Sequence, residues 1–450
     1  MKRILSILLT LSVVLSLIAA VPVTASAAAS GTCGDNLTWT LDDEGTLTIS
    51  GTGEMWDWNF GEPPWYNNTN IKKVEIQQGV TSIGSGMFRS CVNITSVNIP
   101  DSVTTSIADY TFYNCSSLER VSVGNGVKYI GDSAFYGCSS LKSISIGNSV
   151  ESIWHSAFYK CSSLTSINIP DSVTNIDYGA FGDCSSLTSV NLGNGVKHIG
   201  QYAFQGCSSL TSINIPDSVT SVGGEAFRDC SSLVSANIGN GVSGISMFQG
   251  CSSLTSVNIG NGTAYIDSSA FRDCSSLTSI NIPESVQCIW RSAFSGCSSL
   301  TSINIPDRVI SISGEAFSNC SNLKDVYYSG SQKHWNKIYI GIGNECLTNA
   351  EIHCNSLGPN NTYYTGSISD HIWLNGNYGR KMYLTPGNSA DARIEAYPAS
   401  AYPSSGKVWH STNPDVAEVS DYGLVTALKE GYTNVYITTA DGITSDILPV

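Results

Sequence analysis

The stretch CSSLTSINIPDSVT occurs at Cys161 to Thr174 and again, letter for letter, at Cys207 to Thr220. Aligning its near-copies on the apolar residue that opens each one places Ile71, Ile94, Leu118, Leu141, Leu164, Leu187, Leu210, Leu233, Leu254, Leu277, Leu300 and Leu323 in a column of twelve. The steps are 23 residues long apart from one of 24 and one of 21, and a fixed period in this range signals a solenoid. One copy is too short to bury its own apolar edge, so each copy needs its neighbours.

Each copy reads as two halves. In LTSINI the apolar residues alternate with polar ones, the period of a strand with one face buried. A turn of Pro-Asp-Ser or Gly-Asn-Gly follows. The second half, as in VTSIGGEAFRDC, sends Val, Ile, Ala and Phe into the same interior before a short helical turn returns the chain. The segments GNGVKYIG at Gly124 to Gly131 and GNGVKHIG at Gly193 to Gly200 have the look of phosphate loops, but neither is followed by the third glycine and the long helix that a phosphate site needs. They are read as turns.

With the apolar residues inward, the residues between them form outward columns. One is serine: Ser96, Ser166, Ser189, Ser212, Ser235, Ser256, Ser279 and Ser302. Beside it runs asparagine: Asn98, Asn168, Asn191, Asn214, Asn237, Asn258, Asn281 and Asn304. Rungs of a parallel sheet lie about 4.8 Å apart, so these groups form a long periodic row. Two readings of the row stand side by side. The side chains bond up and down the ladder and keep the face soluble, or they offer a flat, uncharged, repetitive surface to a repetitive partner. On the second reading the ligand-binding residues are Asn168, Asn191, Asn214 and Asn237 with Ser166, Ser189, Ser212 and Ser235.

Eleven of the fifteen cysteines share another column: Cys91, Cys115, Cys138, Cys161, Cys184, Cys207, Cys230, Cys251, Cys274, Cys297 and Cys320. Side chains one rung apart, pointing the same way, are farther apart than the ~3.8 Å between Cβ atoms of a disulfide, so a ladder of buried free thiols is expected. One cysteine per rung cannot close a tetrahedral metal site. Cys346 and Cys354 are close enough in sequence to pair, and their spacing from His334 and His353 matches no zinc pattern. No metal or cofactor is expected.

The chain opens MKRILSILLTLSVVLSLIAAVPVTASAAAS, a basic start, an apolar run and a small-residue cleavage site, which reads as an export signal over residues 1–27. Its removal takes two basic residues and moves the net charge from −14 to −16. No membrane insertion is expected after that cleavage. An acidic chain without clustered Lys and Arg is a poor ligand for nucleic acid. Gly-x-Ser-x-Gly, His-Glu-x-x-His and phosphate-loop lysine motifs are absent, so an enzyme is not expected.

The L-x-x-[IV]-x-[IV] strand, the P-x-S-V turn, the I-G-x-x-A-F stretch and the repeating Cys, from Ile71 to Tyr328, resemble the BspA-like class of bacterial leucine-rich repeats. GTCGDNLTWTLDDEGTLTISGTGEM, Gly31 to Met55, is similar to the β-rich N-terminal cap of such proteins, and Val326 to Cys354 to their closing segment. W-x-S-x-N-P-x-V-A-x-V from Trp409 to Val419, with G-L-V-T-A at Gly423 to Ala427, is similar to group 2 bacterial immunoglobulin-like domains.

The expected fold is mostly β: a leucine-rich-repeat solenoid of twelve rungs, with parallel strands, short helical turns and β caps, followed by an immunoglobulin-like β-sandwich. The expected boundaries are 28–70 for the first cap, 71–328 for the repeats, 329–365 for the second cap and linker, and 366–450 for the last domain. The resemblance implies a secreted or cell-surface adhesion protein whose partner is a host extracellular matrix protein, a cell-surface protein or a polysaccharide, and which acts as a monomer. A carbohydrate-binding accessory protein and a structural envelope component without a specific ligand are the alternatives. Trp154 and Trp290, each replacing the Gly of I-G-x-x-A-F, and MWDWNFGEPPWY at Met55 to Tyr66 break the monotony. The latter is expected to cover the open end of the first rung.

Overall fold

The computed structural model describes residues 29–58, 63–65, 68–354 and 356, and beyond them segments 371–375, 389–391, 393–397, 408–411, 415–419, 424–428, 434–438 and 448–449. The export signal over 1–27 and the linker near 357–362 lie outside the described residues. The chain divides into two compact units, Met1–Leu233 and Val234–Val450.

In the first unit each copy contributes one strand to each of two kinds of parallel ladder. Lys73–Ile76, Ser96–Ile99, Arg120–Val123 and Ser143–Ser145 pair in sequence, as do Ser166–Asn168 and Ser189–Asn191. The second half supplies Ser106–Ile107, Tyr129–Ile130, Ser152–Ile153, Asn175–Ile176, His198–Ile199 and Ser221–Val222, a six-stranded parallel sheet. The alternation expected for the first strand is observed: along Ser212–Ile215 exposed and buried residues strictly alternate.

The interior is a set of single-residue columns. Leu141, Leu164, Leu187 and Leu210 are fully buried, as are Phe135, Phe158, Phe181 and Phe204. Successive phenylalanine rings stack at 5.1 to 5.2 Å with planes within 9° from Phe88 through Phe227. Such pairs add about 0.5–1.5 kcal/mol each beyond the area they bury. The stack is closed at its start by Trp65, 5.5 Å from Phe88, and Trp39 meets Trp65 edge-on. The Trp65 indole N–H donates to the carbonyl of Met87, so this ring is satisfied as well as buried. This covering role matches the expectation for the tryptophan-rich segment; residues 59–62 and Tyr66 of it lie outside the described residues. Before it, Ala29–Gly34, Leu37–Leu41 and Thr46–Gly51 form an antiparallel meander whose last strand runs parallel to Lys73–Ile76.

The cysteines are free thiols, and the eleven of the column are buried. From Cys115 onward the column has a second role. Cys138 Sγ donates to the carbonyl of Phe112, and Cys161 Sγ to that of Phe135, both at 3.2 Å. The Phe135 carbonyl also accepts the backbone N–H of Cys138. A buried carbonyl has two lone pairs, and the thiol from the next rung fills the second. Burial disfavours the thiolate and pushes Cys138, Cys184 and Cys230 up to about 12. Cys346 and Cys354 do not pair; Cys354 Sγ contacts the Gln332 side chain at 3.3 Å.

The return segment is not the short helix expected. Its N–H groups alternate between two directions: Ala134, Tyr136 and Cys138 bond three residues back, whereas Ser133, Phe135 and Gly137 bond to the carbonyls of His155, Ala157 and Tyr159 on the next rung. Ser133 and Gly137 take positive φ of 54° and 71°, which breaks any helical run. The rung-to-rung ladder outcompetes helix because it satisfies the buried N–H groups of every copy at once. The Gly-Asn-Gly turns are explained by contact: a Cβ on Gly193 would lie 2.6 Å from the carbonyl carbon of Pro170 on the rung before.

In the second unit Ser235–Ile238 pairs with Ser256–Ile259, and Ser302–Ile305 with Asp325–Tyr328. Its other sheet runs Gly244–Ile245, Tyr265–Ile266, Cys288–Ile289, Ser311–Ile312 and Tyr339–Ile340. The closing segment adds a further turn beyond the twelve copies, since Glu351–Cys354 pairs in parallel with Asp325–Tyr328. Here the two helices among the described residues occur, Gln332–Trp335 and Glu345–Thr348. Asn344 closes the ladder. In inner rungs the N–H of Phe294 bonds to the carbonyl of Ala316 on the next rung; for Phe317 that partner is replaced by Asn344 Oδ1 at 2.9 Å. Asn344 Nδ2 donates in turn to the carbonyls of Ser313 and Gly341.

The C-terminal strands are antiparallel: His371–Asn375 with Arg393–Tyr397, Leu424–Ala427 between Ser389–Asp391 and Ala417–Val419, and Asn434–Thr438 between Val408–Ser411 and Leu448–Pro449. This is the antiparallel pattern of an immunoglobulin-like module. Among the described residues no helix is long and apolar enough to cross a membrane.

Candidate ligand-binding face

The strand pattern decides what the outer face carries. Asn168, Asn191 and Asn214 are exposed, as are Ser166, Ser189 and Ser212, because Ile167 and Ile213 between them point inward. In the second unit Asn237 and Asn258 are exposed, whereas Ser235, Asn281 and Asn304 are half-buried. The register places Asn168 opposite Asn191 and Asn237 opposite Asn258.

The amides bond along the row. Asn191 Nδ2 donates to Asn168 Oδ1 at 2.6 Å, and Asn258 Nδ2 to Asn237 Oδ1 at 2.6 Å. This is the ladder bonding of the first reading. It does not exhaust the groups: an amide has two N–H donors and two acceptor lone pairs, and a bond up and a bond down consume one of each. The ladder therefore fixes the amide planes and leaves donor and acceptor capacity directed outward. Around them lies a shallow depression of about 550 Å³ whose lining includes Asn148, Asn168, Asp171, Asn191, Asn194 and Asn214. The turn residues are fixed in the same manner, with Asp171 Oδ1 accepting the N–H of Asn194.

The asparagine row has a gap that the alignment shows. Ser122 and Ser145 take its place in two successive copies, and here a second depression of about 670 Å³ opens between Lys73, Glu75, Arg120 and Ser143. At the far end of the second unit the row changes to Tyr327 and then His353, whose rings stack at 4.8 Å. His353 Nε2 is 2.8 Å from Asp325 Oδ1, and with Glu351 these form the one group of potential metal ligands found among the described residues. Cys346, Cys354 and His334 are not part of it. Sequence reasoning missed this cluster because Glu351 and His353 lie 26 residues after their partners Asp325 and Tyr327, outside the aligned period of 23.

A row of tyrosines was also missed. Tyr113, Tyr136 and Tyr159 stack at 4.9 and 5.4 Å, with the Arg89 guanidinium over the Tyr113 ring. The signal is the Tyr after Phe in three consecutive copies, FYNC, FYGC and FYKC. Trp154 is half-buried and lies 5.7 Å from Tyr129; Trp290 is 44% exposed.

Known proteins resemble parts of this chain. The model of the BspA type leucine rich repeat region matches residues 61–185, 151–247 and 244–362. That of the bacterial Ig-like domain, group 2, matches residues 380–447. Among solved structures, a leucine-rich repeat protein from Eubacterium ventriosum is 26% identical, over 65% of this chain and 95% of its own, with a TM-score of 0.40. One from Bacteroides ovatus is 24% identical, over 71% and 98%, with a TM-score of 0.46. A leucine rich cell surface protein from Faecalibacterium prausnitzii is 29% identical, over 70% and 99%, with a TM-score of 0.33. No curated protein matches the chain.

Proposed function

The chain belongs to the BspA-type leucine-rich-repeat family and carries a group 2 bacterial immunoglobulin-like domain, and on that footing we propose that it is an exported, non-catalytic binding protein that adheres to matrix proteins or to other cells through the outer strand face of its repeats. Proteins built from these modules are usually surface-exposed, and repeat proteins of this kind are typically non-catalytic. The observation that carries the reading is the row of exposed amides at Asn168, Asn191 and Asn214, the first two of which are joined by the Asn191 to Asn168 bond. Fixed donors and acceptors lose little freedom on binding, so a partner with its own repeat gains several weak contacts at small entropic cost. Ser166, Ser189 and Ser212 border the row, and Ser235 and Asn237 hold the corresponding places in the second unit. The immunoglobulin-like module acts as a spacer.

Immobilised matrix proteins and whole cells, probed with the purified chain, test this reading. Saturable binding to at least one of them supports adhesion. Silence on all of them contradicts it and favours a structural envelope role.

A further inference from the structure

Trp154 and Trp290 play no part in the strand face. They occupy one and the same place in two copies, and each brings a tyrosine with it. Trp154 stands 25 residues after Tyr129, and Trp290 stands 25 residues after Tyr265. Tyr129 pairs in register with Ser152, and Tyr265 with Cys288. The N–H of Trp154 bonds to the carbonyl of Ile130 at 2.9 Å, and that of Trp290 to Ile266 at 2.8 Å. Each tyrosine therefore opens a strand of the sheet formed by the second half of the repeat, and each tryptophan stands just past the end of the strand that pairs with it. In other copies this tryptophan slot holds Gly, as at Gly131, Gly200 and Gly223, or a small or acidic residue, as at Ala108, Asp177 and Ser313, so the scaffold does not require an indole.

The surroundings define what such a pair accepts. In the first unit the two rings lie at 5.7 Å with planes tilted by 33°, a shallow open platform. Charged and polar groups border it in pairs. Lys128 Nζ meets Glu151 at 2.7 Å, and the Tyr129 hydroxyl reaches the other oxygen of Glu151 at 3.2 Å. On the other side His155 Nδ1 lies 3.2 Å from Asp132. In the second unit Tyr265 is 40% and Trp290 44% exposed, and the residue after Trp290, Arg291, is paired with Glu315 at 2.9 Å. Among the described residues neither indole N–H has a protein partner, although tryptophan usually finds one when it is buried.

We propose that Tyr129 with Trp154, and Tyr265 with Trp290, are two binding platforms for uncharged saccharide rings. A pyranose presents C–H groups on its face and hydroxyls around its rim. The aromatic pair meets the face, and the indole N–H and the bordering ion pairs meet the rim. The lysine and arginine that border the platforms are each held by a glutamate, so neither platform offers an unpaired cation to a polyanion, whereas a neutral glycan gains stacking and hydrogen bonds. This activity is separate from adhesion through the asparagine row and uses different residues.

The test is retention of the full chain on insoluble or immobilised neutral polysaccharides (cellulose, chitin, xylan and mannan), with heparin as the anionic comparison. Trp154→Gly and Trp290→Gly restore the residue that other copies carry, so both variants are expected to fold, and an unchanged thermal transition verifies it. The expected result is retention by at least one neutral polymer and none by heparin. Each single variant should weaken retention several-fold, and the double variant at least tenfold. A variant lacking the asparagine row should bind these polymers as the wild type does. Absence of retention on all four neutral polymers overturns the proposal, as does retention by heparin alone or equal retention of the double variant.

Discussion

Replacing Asn344 by Leu removes a polar plug of nearly the same size from the last turn of the solenoid. Three bonds disappear: from the Phe317 N–H at 2.9 Å, to the Ser313 carbonyl at 2.9 Å and to the Gly341 carbonyl at 2.8 Å. The residue is 3% exposed, so water does not replace them without local opening. At about 1 kcal/mol net per bond the loss is about 3 kcal/mol, and each orphaned buried group pushes the figure upward. Because a solenoid's rungs contact only their neighbours, the loss stays local and the end of the ladder frays. Three kcal/mol is roughly a 150-fold change in an opening equilibrium. Native-state hydrogen exchange reads it directly. The amides of Glu315, Phe317 and Gly341, which bond across to the closing turn or the rung before it, should exchange about a hundredfold faster in the variant. The Phe135 amide in the first unit should be unaffected. Equal acceleration of Phe135, or less than a threefold change at Phe317, refutes the reasoning.

Two further outcomes follow from the core. Burial holds Cys91, Cys138, Cys184, Cys230, Cys274 and Cys320 at about 12 against 9.0 for a free thiol. Their folded values are raised, so their contribution is fully present below pH 9 and is lost as pH climbs from 9 toward 12, because the unfolded chain releases these protons first. Urea midpoints should therefore drop steeply above pH 9 and less steeply in a Cys161→Ala/Cys184→Ala variant; a flat profile to pH 11 contradicts the thiol ladder. Gly193→Ala puts a Cβ 2.6 Å from the backbone carbonyl carbon of Pro170 and should cost about 1–3 kcal/mol, as overpacking does. An unchanged melting temperature refutes the contact explanation for the glycine turns.

The columns were legible because the period was. Once Leu164 and Leu187 are aligned, the inward Ile167 and Val190 and the outward Asn168 and Asn191 follow from alternation alone, as does the spacing that keeps the cysteines free. What alternation cannot give is the use each side chain makes of its neighbour. The thiol bond to the phenylalanine carbonyl and the amide bond from Asn191 to Asn168 depend on a register of 23 residues and on rotamers. The return segment looks helical by composition; the N–H ladder to the next rung exists only in the stacked form and overrides it. Asn344, Glu351 and His353 lie past the last aligned copy, so no column marks them, and Asp325 stands in the serine column with nothing in the alignment to show what it faces. Tyr129 and Trp154 are visible as letters, but their meeting is a property of adjacent rungs.

The central claim is that the asparagine row binds. Its most direct measurement is the affinity of the wild-type chain, of Asn191→Ala and of the quadruple variant at Asn168, Asn191, Asn214 and Asn237 for an immobilised matrix protein or cell surface that retains the wild type. Exposed amide bonds contribute about 0.5–1.5 kcal/mol each, so the single replacement should weaken binding at most about tenfold. The quadruple replacement should abolish it while the thermal transition stays within a few degrees of the wild type. Binding by the folded quadruple variant at wild-type strength contradicts the account and moves the function to other residues.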